Sequence, residues 1–178
     1  YDFIYLGRLS ERKGIKVLFK ALGQLSKLFE GKVRIVVVGD IKFGEESLLD
    51  EMETCKCNLL NVDIEWVGFQ SDPTKYIKLS KFMIAPSLLP ETFGRTIIES
   101  GALGVPVVSS DVGAYKEVNP LKDFIFPTGN STALADKMLI SLQLNEKKYQ
   151  ELENLVKKDS ERYSFDNYQN NLKNILND

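Results

Sequence analysis

The run VRIVVVGD at residues 33–40 constrains the fold more than any other stretch of this sequence. Five of its first six residues are Val or Ile, and from residue 35 to residue 38 no polar residue interrupts them. Continuous apolarity indicates a strand that is buried on both faces, which is typical of a parallel sheet. Parallel strands need crossover connections, and these are usually helices, so the run predicts an α/β chain.

Similar short runs recur along the chain and alternate with helical patterns. Strand-like runs occupy residues 3–6, 64–69, 82–87, 105–109 and 124–126, and helix-like segments include 45–57, 73–79, 94–103 and the closing region 144–178. This alternation predicts a doubly wound, mostly parallel sheet with helices on both faces. Ligands bind such sheets beyond the carboxyl ends of the strands, so we expect function in the turns that follow them.

Particular apolar side chains support the first and last of these helices. The first carries Ile15, Leu18, Leu22 and Leu25 on one face, and the last carries Phe165, Tyr168, Leu172 and Ile175 on one face. Ser164 precedes the last helix and is expected to cap its start. A turn is expected at residues 111–113.

Composition limits the class of function. The 178 residues carry a formal net charge of −2, which gives no sign of the basic face of a nucleic-acid binder. The chain has no histidine and two cysteines, Cys55 and Cys57, too few for a structural zinc site. Neighbours two apart on a helix point in different directions, so we interpret both as free thiols in a reducing compartment such as the cytoplasm.

The turn after the first strand, GRLSERKG at residues 7–14, predicts an anion site. Arg8 and Lys13 flank a loop that opens into a helix, whose first amides and dipole favour negative charge. A guanidinium and an ammonium at this position could clamp a diphosphate. Taken alone, a solvated basic turn explains the same residues, because surface Arg and Lys are common.

The next two strand ends give weaker signals. Gly39-Asp40 lacks the further glycines of the dinucleotide fingerprint, which argues against a nicotinamide enzyme. The turn formed by Gly68, Phe69 and Gln70 could meet a planar base through its backbone. We assign Trp66 to the core, whereas Phe69 could serve either the core or a ligand.

The segment PETFGRTIIES at residues 90–100 predicts a second anion site opposite the first. Gly94 is expected to let the backbone approach a ligand, and the amides of Gly94, Arg95 and Thr96 lie at the start of a helix. Glu91 precedes that helix and Glu99 lies one turn inside it; a carboxylate suits a vicinal diol. The alternatives are an exposed loop acid for Glu91 and, for Glu99, a helix glutamate paired to a surface lysine.

Three stretches together resemble the carboxyl-terminal domain of the GT-B glycosyltransferases called group 1 or family 4, which are retaining enzymes that use nucleotide sugars. They are GRLSERKG, PSLLPETFGRTIIESGALGVPVVSSDVG and FPTGNSTALADKM, so the resemblance covers nearly the whole chain. Its specific part is E-x7-E, from Glu91 to Glu99, set between P-S and G-x-P-V-V.

The resemblance implies a role for each matching residue. Arg8 and Lys13 would hold the donor diphosphate, and Glu91 would contact the donor sugar, so that these three would be catalytic. Glu99 would accept hydrogen bonds from the ribose. The remaining donor-binding positions would be Phe93, Gly94, Arg95 and Thr96 at the sugar and phosphate, and Gly68, Phe69 and Gln70 at the base. No cofactor or metal would be needed.

The resemblance also implies the setting of the reaction. Residues 1–178 would form one Rossmann-like domain that binds a UDP- or GDP-linked sugar, and an acceptor-binding amino-terminal domain would lie outside this chain. The protein would act in the cytoplasm in bacterial surface polysaccharide or glycolipid synthesis, with any contact to the inner membrane face made by the missing domain. Ile41, Ser100 and Ala114 depart from the residues usual in the family.

Two other functions stay open at the level of sequence. A GT-B nucleotide-sugar epimerase would bind the same ligand in the same cleft and would act without an acceptor. A non-catalytic nucleotide-sugar-binding module would keep the fold and lose the residues of the clamp.

Overall fold

The computed structural model describes residues 1–41, 47–57, 59–167 and 169. Six strands form one sheet in the order β3-β2-β1-β4-β5-β6, and every neighbouring pair is parallel. The strands are β1 Phe3–Leu6, β2 Val33–Val38, β3 Val62–Gly68, β4 Phe82–Ala85, β5 Val107–Ser110 and β6 Ile125–Phe126. The predicted doubly wound parallel sheet is therefore confirmed.

Helices follow the strands, and those predicted at 45–57, 73–79 and 94–103 are found at 47–57, 74–78 and 95–102. They are α1 Ile15–Leu28, α2 Ser47–Cys57, α3 Thr74–Lys78, α4 Arg95–Ala102, α5 Tyr115–Val118, α6 Ser131–Leu142 and α7 Glu146–Ser160. The short helix α5 was not predicted, because one helical turn is too short to show an apolar period. Residues 45 and 46 of the predicted second helix lie outside the described residues.

The sheet is buried on both faces, as the apolar runs indicated. On one face Phe3, Tyr5 and Ile35 belong to a core that also contains Leu18 of α1 and Leu134 of α6. On the other face Ile4, Val36 and Met83 pack in a second core with residues of α4 and α5. Successive side chains of a strand point to opposite faces, so each central strand must be apolar along its whole length.

The strand order reverses direction between β1 and β4, and this switch point positions the site. A crevice forms there because the loops after the two strands diverge. Main-chain hydrogen bonds fix these loops: the Leu88 amide donates to the Arg12 carbonyl at 2.9 Å, and the Leu9 amide donates to the Asp40 carbonyl at 2.9 Å. The Gly39 amide also donates to the Gly68 carbonyl at 2.8 Å.

The loops after β5 and β6 are joined by Asp111. The Thr128 hydroxyl and amide both donate to its Oδ1, the amide at 2.9 Å. These two hydrogen bonds, the hydroxyl's first, lower the pKa of Asp111 below its usual value. The charged carboxylate therefore stabilises the folded chain at neutral pH.

Several smaller expectations concern the cysteines and the closing region. Cys55 is a free thiol, whereas the side chain of Cys57 lies outside the described residues. Ser164 caps the closing segment by accepting from the Asn167 amide at 3.3 Å, and Phe165 is exposed. The other apolar positions of the last predicted helix, Tyr168, Leu172 and Ile175, lie outside the described part. Within the described residues no helix is long and apolar enough to span a bilayer.

Candidate functional site

Two adjoining cavities lie at the switch point and contain nearly all the predicted site residues. The first has a volume of about 580 Å³ and is lined by Lys13, Glu91, Phe93, Gly94, Arg95, Thr96 and Glu99, among others. The second has about 480 Å³ and is lined by Arg8, Asp40, Phe69 and Gln70, among others. Leu6 borders both cavities. Gly68 lines neither; it ends β3, and its carbonyl accepts from Gly39.

Lys13 and Glu91 form an ion pair that spans the crevice. Lys13 Nζ lies 2.6 Å from Glu91 Oε1, which links the loop after β1 to the loop after β4. The side chains are 31% and 18% exposed, so the pair is less screened by water than a surface pair. The family resemblance implied that Lys13 contacts the diphosphate and Glu91 the sugar of one ligand. It did not imply a contact between the two side chains.

Arg8 occupies the second cavity rather than the first. Its side chain is exposed, and its guanidinium makes no hydrogen bond or ion pair within the described chain. The phenol of Tyr5, buried beneath the loop, donates to the Arg8 carbonyl at 2.8 Å. Burial raises the pKa of Tyr5 above its usual value, so the phenol stays protonated and keeps this bond at physiological pH. The two cations of the predicted clamp therefore line adjoining cavities.

The start of α4 supplies hydrogen-bond donors to the first cavity. The first amide bonded within this turn is that of Ile97, which donates to the Gly94 carbonyl at 3.0 Å. The amides of Arg95 and Thr96 precede it, at the positive end of the helix dipole. Gly94 has φ 70°, and a Cβ there would lie 2.7 Å from Val118 Cγ2 of α5. Packing against α5 thus requires this glycine, a reason that the sequence did not indicate.

Glu99 lies in the second turn of α4 and is paired on its own helix. Its Oε1 lies 3.0 Å from the guanidinium of Arg95, four residues earlier, and both side chains are exposed. The sequence left a pair with a surface lysine as the alternative; a surface pair forms, and its partner is Arg95 instead. Exposed pairs of this spacing contribute only about 0.3–0.5 kcal/mol, so a ligand could displace the partner at little cost.

The turn after β3 borders the second cavity through Phe69, whose ring is 73% exposed. The side-chain amide of Gln70 donates back to the Val67 carbonyl at 2.9 Å, which fixes the turn. Trp66 is partly buried against the core, as predicted, and its indole donates to the Gly39 carbonyl at 2.9 Å. Phe93 borders the other cavity and meets the ring of Tyr163 edge-on, with 6.3 Å between ring centroids.

Three residues that support Glu91 were missed as site residues. Ser87 donates its hydroxyl to Glu91 Oε1 at 2.9 Å, and the Ala114 amide donates to the Glu91 carbonyl at 2.9 Å. Gly113 packs so closely that a Cβ would lie 2.5 Å from the Glu91 carbonyl oxygen. The serine of the P-S pair and the glycine after β5 were visible in the sequence, but their contacts depend on how the loops of β4 and β5 meet.

The sequence and the fold are both similar to those of known proteins. The family model for glycosyl transferases group 1 matches residues 1–159. A phosphatidyl-myo-inositol mannosyltransferase of Mycobacterium leprae is 33% identical over 147 residues, which are 79% of this chain and 37% of that protein. The capsular polysaccharide biosynthesis glycosyltransferase CapH of Staphylococcus aureus is 31% identical over 120 residues, which are 66% of this chain and 32% of that protein.

Among solved structures, Anabaena HepE in complex with UDP superposes with a TM-score of 0.84 at 25% identity over 98% of this chain. The superposition covers 48% of the HepE chain, so the present chain spans about half of HepE and about a third of the two curated relatives. HepE has also been solved with UDP-glucose. Because the family model matches all but the last 19 of the 178 residues, this chain belongs to the group 1 glycosyl transferases.

Proposed function

We propose that this chain is the donor-binding domain of a retaining glycosyltransferase, which moves a hexose-type sugar from a nucleoside-diphosphate sugar to an acceptor. The observation that carries the proposal is the ion pair between Lys13 and Glu91 across the switch point. It brings a cation suited to phosphate and a carboxylate suited to sugar hydroxyls into one cavity, which also contains the start of α4. Retention of configuration is inferred from the family resemblance.

The charges around the crevice suit the departure of a diphosphate. Negative charge builds on the leaving group as the glycosidic bond breaks, and preorganised donors stabilise it. Arg8, Lys13 and the first amides of α4 would supply these donors, in the role that a divalent metal plays in other transferases. We therefore propose a reaction that needs no metal ion.

The two glutamates would divide the recognition of the donor. Glu91, held at the centre of the crevice, would accept hydrogen bonds from the sugar. Glu99, in the second turn of α4, would exchange Arg95 for the ribose hydroxyls. The second cavity, with the exposed ring of Phe69, would receive the base of a UDP- or GDP-linked donor. The HepE complexes with UDP and UDP-glucose support this class of ligand.

We further propose that residues 1–178 form one domain and that the acceptor binds to an amino-terminal domain outside it. The chain covers 37% of the mannosyltransferase and 48% of HepE, which leaves room in those proteins for a second domain of similar size. The chain alone would then bind nucleotide sugar weakly and transfer nothing. The acceptor would belong to a surface polysaccharide or glycolipid, as in the names of several relatives.

A thermal-shift screen of the full-length protein tests the proposed function. Wild type and Lys13→Ala are heated with UDP, UDP-glucose, GDP and GDP-mannose. A ligand that binds only the native state raises the melting temperature, so we expect one nucleotide series to stabilise wild type and to stabilise Lys13→Ala less. No shift with any of the four ligands would refute the proposal. If the protein, incubated with a sugar nucleotide and no acceptor, formed the epimerised sugar nucleotide, it would instead be an epimerase.

A further inference from the structure

Ser87 is buried under the proposed sugar site and touches the carboxylate of Glu91. The residue is 2% exposed, and its Oγ lies 2.9 Å from Glu91 Oε1 and 3.4 Å from the Tyr115 hydroxyl. Its own carbonyl accepts from the Ser110 hydroxyl at 2.7 Å. Ser87 is thus held by the neighbouring strand β5 and in turn holds the side chain of Glu91.

Ser87 and Lys13 donate to the same oxygen of Glu91. Oε1 accepts from the Lys13 ammonium at 2.6 Å and from the Ser87 hydroxyl at 2.9 Å. Within the described residues, Oε2 accepts no hydrogen bond. One oxygen of the carboxylate is therefore anchored to the protein, and the other is available to a ligand in the cavity that Glu91 lines.

The two donors differ in what a bound diphosphate does to them. Lys13 is a flexible point charge, and a diphosphate in the crevice would compete with Glu91 for it. The hydroxyl of Ser87 is buried and neutral, and its backbone is fixed by Ser110, so a ligand cannot draw it away. Once Lys13 turns to phosphate, Ser87 is the side chain that still fixes Glu91.

We propose that Ser87 is a positioning residue that keeps the Glu91 carboxylate oriented toward the donor sugar while Lys13 binds the diphosphate. The inference rests on the proposed function. It predicts that Ser87 matters for the sugar part of the donor and not for its nucleotide part. A residue that only stabilised the fold would affect both parts alike.

Calorimetry on the 178-residue chain and on the full-length protein separates these possibilities. UDP and UDP-glucose are titrated into wild type, Ser87→Ala and Ser141→Ala, with GDP and GDP-mannose as a second pair. Ser141 is the matched control, because its buried hydroxyl donates to the Met138 carbonyl at 2.7 Å within α6 and the residue lines neither cavity. For Ser87→Ala we expect unchanged affinity for the nucleoside diphosphate and about a tenfold fall in the preference for the sugar nucleotide. Ser141→Ala should match wild type.

Two more variants keep the test decisive. Ser87→Cys leaves no cavity and replaces the hydroxyl with a slightly larger, weak thiol donor, so it should lose the preference even if Ser87→Ala folds poorly. In a Glu91→Ala background, Ser87→Ala should change nothing further, because its effect passes through Glu91.

Each contrary outcome has a distinct meaning. Equal losses for nucleotide and sugar nucleotide, or an additive loss in the Glu91→Ala background, would overturn the positioning role. Wild-type preference in Ser87→Ala, together with a loss in Glu91→Ala, would overturn the inference alone. If wild type binds none of the four ligands, the proposed function and the inference both fall.

Discussion

The turn after β5 supports the backbone of Glu91, and Gly113→Ala tests that support. Gly113 has φ 47°, a conformation that costs a residue with a Cβ about 1–2 kcal/mol. The added Cβ would lie 2.5 Å from the Glu91 carbonyl oxygen and 2.7 Å from its nitrogen. Both are backbone atoms, so no side-chain rotation can relieve the contact.

The size of the displacement follows from these distances. Ordinary contact begins at 3.4 Å, so Glu91 or the turn must move by the difference of about 0.9 Å. We expect a loss of stability of about 2–4 kcal/mol, within the range for overpacked buried sites. A misplacement of about 1 Å in a reacting site can cost roughly a hundredfold in rate. Transfer by the full-length protein should therefore fall by about that factor.

The assay compares Gly113→Ala with Gly129→Ala by urea unfolding, by calorimetry with UDP and UDP-glucose, and by transfer rate. Gly129 has φ 77°, but a Cβ there meets only Leu88 Cδ2 at an ordinary 3.6 Å. Gly129→Ala therefore introduces the backbone strain without a steric clash. Part of the cost of that strain is offset, because alanine has less conformational freedom than glycine in the unfolded chain. Gly129→Ala should cost about 1 kcal/mol and leave the affinity for both ligands unchanged.

The result that would refute this reasoning is specific. If Gly113→Ala and Gly129→Ala lose the same stability, the collision with Glu91 has no energetic cost. If Gly113→Ala is less stable and yet keeps the wild-type preference for UDP-glucose over UDP, the turn does not set the position of Glu91.

Three further predictions concern single side chains. Lys13→Ala should weaken nucleoside diphosphate binding at least tenfold in calorimetry, because a charge-assisted bond is lost. Substitution of Lys20, an exposed residue of α1, by Ala should leave the affinity unchanged. Equal affinities of Lys13→Ala and wild type would exclude Lys13 from the phosphate site. Glu99→Ala should weaken nucleotide and sugar nucleotide alike, and Glu91→Ala should impair transfer more than nucleotide binding; identical effects would contradict the division of labour. The pKa of Asp111 is lowered by folding, so its carboxylate stabilises the chain above the unfolded pKa, and this contribution is lost as the pH falls through the folded pKa. Asp111→Asn should therefore be less stable than wild type near pH 7, and the difference should shrink toward pH 3 in urea titrations; a constant difference would contradict the assignment.

The fold class was predictable because the alternation of strands and helices depends on patterns local to the chain. The run from Val33 to Val38 indicated a strand buried on both faces, and the turn residues marked where each strand ends. The contacts of the site were less predictable. Lys13 and Glu91 lie 78 residues apart, and their pairing depends on the register of β1 against β4. No local pattern encodes that register.

The support beneath Glu91 escaped prediction for a related reason. Ser87 and Gly113 are ordinary loop residues in sequence, and their roles arise only where the loops of β4 and β5 meet. Gly94 shows the same limit. A glycine is favoured there because the position packs against α5, a helix that the sequence did not predict. The sequence indicated the residues whose chemistry suits a ligand. It did not indicate which other residues keep those side chains in position.

The main-chain bonds between the strand-end loops have a consequence for how such a site can change over evolution. The loops after β1, β2, β3 and β4 are joined through the amides of Leu9, Gly39 and Leu88, none of which depends on a side chain. The shape of the crevice is thus set by the main chain and not by the side chains that line it. A side chain that lines it and is largely exposed, such as Phe69, can be exchanged without disturbing these bonds. Substitutions confined to such side chains would change which ligand the crevice accepts and would leave its scaffold intact.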